Sequence, residues 1–258
     1  VSSVVVVDSG VANVGSVVAA LERVQANVTI SRDWEVIRRA ERVLLPGVGA
    51  AVAAMRELDR LGLSERLPTL TQPVLGVCLG MQLMFEGSDE GRDPGPGTRD
   101  PILAASCDLP PAGSDREFAA ENSDSVFTRS SGSRVPGPGS GLPDAVPCLG
   151  ILPGYVRRLP ESPGVRIPHM GWNALIPRRP HALVAGLGER DYAYFVHSFG
   201  AAESELTLMA CEHGSSFSAV VARANFMGAQ FHPERSAAVG ARLLDNFLNL
   251  DLETLGQC

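Results

Sequence analysis

The run Pro73-Val74-Leu75-Gly76-Val77-Cys78-Leu79-Gly80-Met81-Gln82-Leu83-Met84-Phe85 constrains the fold of this chain more than any other stretch. Its first half is short, apolar and β-branched, the pattern of a buried strand. Behind Gly80, the residues Met81, Met84 and Phe85 recur at helical spacing, which predicts a helix. Strand, sharp turn and helix with a cysteine at the turn is the arrangement of a nucleophile elbow, where the turn forces the nucleophile into strained backbone angles. Gly76 and Gly80, two residues to either side of Cys78, let strand and helix approach closely and leave the sulfur at the strand's carboxyl end. The start of the helix is expected to favour the thiolate, and the N–H of Leu79 to face an oxyanion on an attacked carbonyl. Taken alone, Cys78 also reads as a buried apolar thiol that ends a strand.

The rest of the first half repeats the same unit. Val4 to Val7 is a buried strand, and Val14, Val17, Val18, Leu21 and Val24 form a helical stripe behind a cap at Asn13. Val28 to Ile30 reads as a second strand, and the residues around Trp34 and Ile37 as a small helix. Val43-Leu44-Leu45 is a third strand, ending in Pro46-Gly47-Val48-Gly49, with a helix after it carrying Met55, Leu58 and Leu61 on one face. Alternating strands and helices predict a parallel sheet covered on both sides.

The pattern stops near Glu90. From Asp93 to Pro147 the chain has 55 residues, of which 9 are proline and 7 glycine. Such a stretch buries too little apolar surface to offset its ordering entropy, and the expectation is a flexible insertion at 93–147 within one domain spanning 1–258. Leu103, Phe118, Val126 and Phe127 are its candidates for local structure. Beyond it, Leu149 to Leu152, Val156, Val165 to Ile167, Asn173 to Ile176, Tyr192 to Phe199, Leu206 to Cys211, Phe217 to Ala222 and Asn225 to Gln230 read as closely spaced strands. A last helix runs from Ala237 to Leu250. The predicted class is α/β, a mixed, largely parallel central sheet flanked by helices, with additional antiparallel strands in the C-terminal half.

Composition removes several function classes. A net charge of -7 argues against a nucleic-acid or anionic-membrane surface. No apolar run reaches the length of a membrane span, and the opening VSSVVVVDSG, without a basic region, is not expected to be a signal peptide. Five cysteines (Cys78, Cys107, Cys148, Cys211, Cys258) without short metal-type spacing fit free thiols in a reducing, cytoplasmic setting. All basic side chains are arginines, so no lysine nucleophile is available. No metal site is expected: His169 and His181 have no carboxylate in phase with them.

A thiol nucleophile needs a base, and the base an orienting group. Phe231-His232-Pro233-Glu234 follows a predicted strand directly, and in extended backbone residues two apart point the same way. Cys78 as nucleophile, His232 as base and then acid, and Glu234 as the carboxylate fixing the imidazole form one constellation. A surface histidine beside a solvated glutamate is the bland alternative. The glycine turn at Pro46-Gly47-Val48-Gly49 lies at a strand's carboxyl end, where open α/β sheets place their sites, and offers a second oxyanion donor from Val48 or Gly49.

These residues resemble the class I, or triad, glutamine amidotransferases: Gly76-Val77-Cys78-Leu79-Gly80-Met81-Gln82 together with Phe231-His232-Pro233-Glu234. Within that family the chain is similar to the glutaminase subunits of imidazole glycerol phosphate synthases. The closer likeness rests on Leu45 to Ala50, Ile167 to Asn173, Tyr194 to Ser198 and Gln230 to Ser236, and covers about residues 4 to 92 and 148 to 250. The resemblance implies that Cys78 attacks the side-chain amide of glutamine, without a cofactor. Ammonia would then pass through a channel in a (β/α)₈ cyclase partner, which makes imidazole glycerol phosphate and aminoimidazole carboxamide ribotide. It implies a glutamine pocket at Gly49, Gln82, His197, Ser198 and Phe199, and a cyclase-facing segment at Met170, Gly171, Trp172 and Asn173. It also implies near silence of the isolated subunit, because the peptide at the glycine turn points away until the partner's ligand is bound.

The chain departs from the family at Ser9, usually an aromatic, at Phe199, usually a tyrosine, and in the 93–147 segment, which replaces a short loop. Competing readings are the amidotransferase of an anthranilate or carbamoyl phosphate synthase, a stand-alone cysteine hydrolase, and a non-catalytic interaction subunit. The Pro168 to Asn173 segment argues against the first, and an intact Cys78, His232 and Glu234 against the last.

Overall fold

The computed structural model describes residues 2–10, 14–90 and 145–250. Its main body is an eight-stranded sheet, built in its first half from β1 (Ser3–Val7), β2 (Asn27–Ser31), β3 (Arg42–Gly47) and β4 (Val74–Cys78). These alternate with helices α1 (Val14–Arg23), α2 (Trp34–Ile37) and α3 (Ala51–Arg60), and a one-turn helix α4 (Leu79–Gln82) follows β4. Then come β5 (Phe85–Ser88), β6 (Val146–Pro147), β7 (Leu152–Arg158), β8 (His169–Ala174), β9 (Ile176–Pro177) and β10 (Tyr192–His197). They are followed by β11 (Phe199–Ala201), β12 (Thr207–His213), β13 (Ser215–Arg223), β14 (Phe226–Ala229) and the closing helix α5 (Ala237–Leu248).

The sheet order is β2-β1-β3-β4-β14-β13-β12-β9. The first five strands run parallel, and β13, β12 and β9 are added antiparallel. A two-stranded antiparallel ribbon, β8 with β10, and a small sheet, β11-β7-β5-β6, complete the architecture. The expected mixed, largely parallel α/β fold is therefore present.

Strand alternation explains how both faces are filled. On β1, Val4 and Val6 enter one core with α1, α5 and Phe231, while Val5 and Val7 enter the other with Ile37, Met55 and Leu58. A strand buried on both faces has to be apolar at every position, and Val4 to Val7 is. The inward side of α5 carries Val239, Leu243, Leu244, Phe247 and Leu248, all buried, as its period requires. Among the described residues no helix is long and apolar enough to cross a membrane.

Local expectations differ from the structure at several points, among them Leu149 to Leu152, of which only Leu152 lies in a strand. The helix behind Cys78 stops at Gln82, and Phe85 opens a strand instead. The reason is tertiary: the carbonyls of Leu83, Met84 and Phe85 accept from the N–H groups of Leu149, Ile151 and Gly150 at 2.8–2.9 Å. Val165 to Ile167 makes only an isolated bridge between Ser162 and Val165, with Pro163-Gly164 before it and Pro168 after. Tyr192 to Phe199 divides at Ser198 into strands of two different sheets, and Asn173 to Ile176 divides at the buried Leu175. Of the 93–147 segment, Val146–Pro147 pairs with β5. Its residues 93–144, including Leu103, Phe118, Val126 and Phe127, lie outside the described residues, as do the Asn13 cap, Cys107 and Cys258.

Candidate active site

Cys78 is the last residue of β4 and has φ 54°, ψ −113°, a left-handed backbone that a side chain rarely adopts. Close packing holds it there. A Cβ on Gly80 would lie 1.9 Å from the carbonyl oxygen of Leu45, and one on Gly76 2.7 Å from the backbone of Gly80. Helix α4 thus lies directly on β3 and β4, and only glycine permits the approach. With one turn, α4 is too short to supply the macrodipole expected from the sequence, which leaves the first N–H groups after Cys78 as its contribution.

β14 lies beside β4 in parallel register, Ala229 opposite Val77, so the chain leaving β14 delivers His232 to the elbow. The backbone N–H of His232 donates to the carbonyl of Tyr194 at 3.0 Å. Ser236 Oγ donates to the His232 carbonyl at 2.7 Å and accepts from the Tyr194 N–H at 2.9 Å. His232 Nδ1 and Glu234 Oε1 are 2.8 Å apart, both side chains buried. The pairing expected from extended backbone exists, but its route differs: Pro233–Arg235 is a 3₁₀ turn that folds the carboxylate back under the ring. Burial pushes the His232 imidazole toward neutrality. The charge of the Cys78 sulfur and its hydrogen bond, followed by Glu234, outweigh burial and raise the ring from 6.5 to about 10. The balance favours the protonated ring over the neutral one.

The glycine turn follows β3, whose Gly47 is paired with Cys78. Gly49 has φ +90° with open space around its α-carbon, and Ala50 precedes α3. The Ala51 N–H donates to Glu90 Oε2 at 2.9 Å, bringing a carboxylate to this turn.

Of the implied glutamine pocket, Gly49 is exposed while Gln82, His197, Ser198 and Phe199 are buried, with the Gln82 and His197 side chains both engaged at the Phe199 carbonyl. Gln82 Nε2 donates to the carbonyl of Phe199 at 2.8 Å and to Gln230 Oε1 at 2.9 Å. His197 Nδ1 donates to the Phe199 carbonyl at 2.8 Å, which leaves Nε2 to accept from His169 Nδ1 at 3.1 Å. His169 Nε2 in turn accepts from Asn173 Nδ2 at 3.2 Å. Both rings are held neutral: burial, then neighbouring His213, pushes His169 down to about 4, and burial, then His169, pushes His197 down to about 3. With both nitrogens used, the His197 ring is part of the frame, and Ser198, whose carbonyl accepts from Leu159 N–H, bridges two sheets.

The segment from Met170 to Asn173 lies within β8. Met170 pairs with Val196 and Trp172 with Tyr194. Met170 is 60% exposed and Trp172 53%, while His169 on the opposite face is buried. Gln230 and His169 lie within the stretches that carry the family resemblance, but no site role follows for them from the sequence, and Glu90 carries no local pattern.

Comparison with known proteins places this geometry. Residues 5–250 match the family model "Glutamine amidotransferase class-I". The chain is 42% identical over 253 residues to the imidazole glycerol phosphate synthase subunit HisH of Colwellia psychrerythraea, covering 98% of this chain and 95% of that protein. It is 43% identical over 244 residues to HisH of Xanthomonas campestris pv. campestris, covering 95% and 96%. Among solved structures, a glutamine amidotransferase superposes with a TM-score of 0.59 at 17% identity, covering 98% of each chain. PurLQS from Thermotoga maritima gives 0.57 at 15%, covering 96% of this chain and 98% of that one; at these identities both show the fold alone. The chain belongs to the class-I glutamine amidotransferase family, among the HisH-type glutaminases of histidine biosynthesis.

Proposed function

We propose that this chain supplies ammonia from glutamine to the cyclase subunit of an imidazole glycerol phosphate synthase, with Cys78, His232 and Glu234 as its catalytic triad. The observation that carries the reading is His232 held between two partners, the strained Cys78 on one side and Glu234 at 2.8 Å on the other. Identity of 42–43% to HisH subunits over nearly the full chain supports the choice of synthase.

In this reading the Cys78 sulfur attacks the side-chain carbonyl carbon of glutamine, and the carbonyl π pair moves to oxygen. The N–H of Leu79 and a peptide N–H at Val48 or Gly49 hydrogen-bond that oxyanion. When it collapses, the C–N bond breaks and the nitrogen takes a proton from the His232 imidazolium, leaving as ammonia. A glutamyl thioester remains. Neutral His232 then takes a proton from water, the hydroxide adds to the thioester carbon, and collapse releases glutamate and the Cys78 thiolate. Glu234 stabilises the imidazolium each time it forms. Gly49, Gln82, Ser198, Phe199 and His197 shape the glutamine pocket, chiefly through backbone.

The ribbon of β8 and β10 is the docking face for a (β/α)₈ partner, with Met170, Gly171, Trp172 and Asn173 on its outer strand. Ammonia passes from Cys78 into that partner. A thiol nucleophile of this kind works in a reducing compartment, the cytoplasm, and the chain acts as one domain interrupted by the 93–147 insertion.

The test is glutamate release by the purified chain, alone and with a cyclase subunit carrying its nucleotide ligand. We expect negligible turnover alone and a rise of roughly 10²-fold or more in the complex, the scale of one oxyanion donor brought into place. Vigorous turnover by the isolated chain would instead identify an independent hydrolase.

A further inference from the structure

Gln230 is fully buried, follows β14 and is not one of the triad. Its carboxamide is oriented without ambiguity. The Phe199 oxygen is a carbonyl and can only accept, so the group of Gln82 facing it is the amide NH₂. That same NH₂ donates to Gln230 across 2.9 Å, so the Gln230 atom facing Gln82 is the oxygen. The Gln230 NH₂ is left on the other side, where it lies 3.8 Å from the Cys78 sulfur in donor geometry. One carbonyl therefore dictates, through two glutamines, that an N–H points at the sulfur.

The Phe199 carbonyl is itself fixed. It accepts a second hydrogen bond from His197, whose ring is held by His169, whose ring is held in turn by Asn173 on β8. Every donor in this series has an acceptor, and burial keeps both rings neutral, so the direction of each bond is determined. A buried donor aimed at a sulfur stabilises the anion more than the thiol, because the thiolate is the stronger acceptor.

We propose that Gln230 is a positioning residue for the nucleophile: its carboxamide N–H holds the Cys78 thiolate toward the site, and Gln82, through the Phe199 carbonyl, sets the direction of that N–H. This rests on the reading of Cys78 as the nucleophile. It gives Gln82 a role in orienting the sulfur in addition to lining the pocket. It also joins the nucleophile by continuous hydrogen bonds to the strand that carries Met170 and Trp172.

The experiment is the rate of Cys78 alkylation by iodoacetamide from pH 5 to 10, read by mass spectrometry of the Cys78 peptide in the full chain, with the Cys148 and Cys211 peptides as internal references. In Gln230→Met, which keeps length and removes the donor, the midpoint of the Cys78 profile should move up by about one pH unit, the scale of a hydrogen bond to a charged group. Gln82→Met, which frees the Gln230 amide to rotate, should move it in the same direction by less. In the unsubstituted chain the Gln230 side-chain amide resonance should titrate with the same midpoint as Cys78, a readout that requires no variant to fold. Coincident alkylation profiles in all three proteins, or an amide resonance indifferent to the thiol's titration, would overturn the proposal while leaving Cys78 as the nucleophile. Cys78 labelling no faster than Cys148 or Cys211 would overturn both.

Discussion

Nδ1 of His232 and Oε1 of Glu234 lie 2.8 Å apart although only Pro233 separates the two residues in sequence. The 3₁₀ turn makes this possible, and it leaves the other ring nitrogen for the Cys78 sulfur. The same turn leads into α5, so His232 is anchored by a helix on one side and by β14 on the other.

Cys78→Ala should abolish glutamine-dependent synthesis in the complex and leave synthesis from added ammonia intact. His232→Ala should lower glutamine-dependent kcat by roughly 10³-fold or more, and Glu234→Gln by less, since the base moves the proton and the carboxylate only steadies it. Steady-state rates with glutamine and with ammonium salts decide this. Equal loss on both nitrogen sources would mean the residues are structural.

Acid should destabilise the fold well before its carboxylates titrate. Unfolded histidine takes a proton near 6.5, whereas folded His169 does so near 4 and His197 near 3. Between about pH 6.5 and 4 the unfolded chain therefore holds more protons, so the stabilisation from these two rings is complete above 6.5 and is lost as pH falls. Up to two protons correspond to about 2–3 kcal/mol per pH unit within that window. Urea midpoints at pH 7, 6 and 5 should fall accordingly, and a constant midpoint would contradict the neutral pair.

Gly80→Ala should be among the most damaging small substitutions. Its Cβ would stand 1.9 Å from the Leu45 carbonyl oxygen, which is backbone and has little freedom to give way. Overpacking of this kind costs about 1–3 kcal/mol, or roughly 2–12 °C in Tm for a domain of this size. Thermal unfolding followed by circular dichroism measures it, and an unshifted Tm would show that α4 can lift from β3.

Trp172→Ala should separate docking from folding. The ring is 53% exposed and touches Tyr194 edge-on at 6.0 Å, over which Arg235 is placed. Loss of such a surface ring should change stability by about 0.5 kcal/mol or less, yet weaken cyclase binding by about tenfold or more if it is an interface anchor. Titration calorimetry against the cyclase subunit, with a urea melt of the variant alone, reads the two effects independently.

The sequence by itself determined the elements whose cause is local. Val4 to Val7 had to be a doubly buried strand because all its positions are apolar, and the stripe of α5 follows from its period. Cys78 between Gly76 and Gly80 demanded a turn that only small neighbours allow, and His232 and Glu234 are two residues apart in any conformation. Other features depended on partners far away in the chain. Helix α4 stops because the turn at Leu149 to Ile151 captures carbonyls that a longer helix would use. Gln230 meets Cys78 across 152 residues and Gln82 meets Phe199 across 117, separations that leave no periodic trace. The resemblance places His197 in the glutamine pocket, and the tertiary structure adds that both its ring nitrogens are engaged, by the Phe199 carbonyl and by His169. Short-range sterics and burial periodicity are written in neighbouring residues, whereas the direction of a buried hydrogen bond exists only once both of its partners have been brought together.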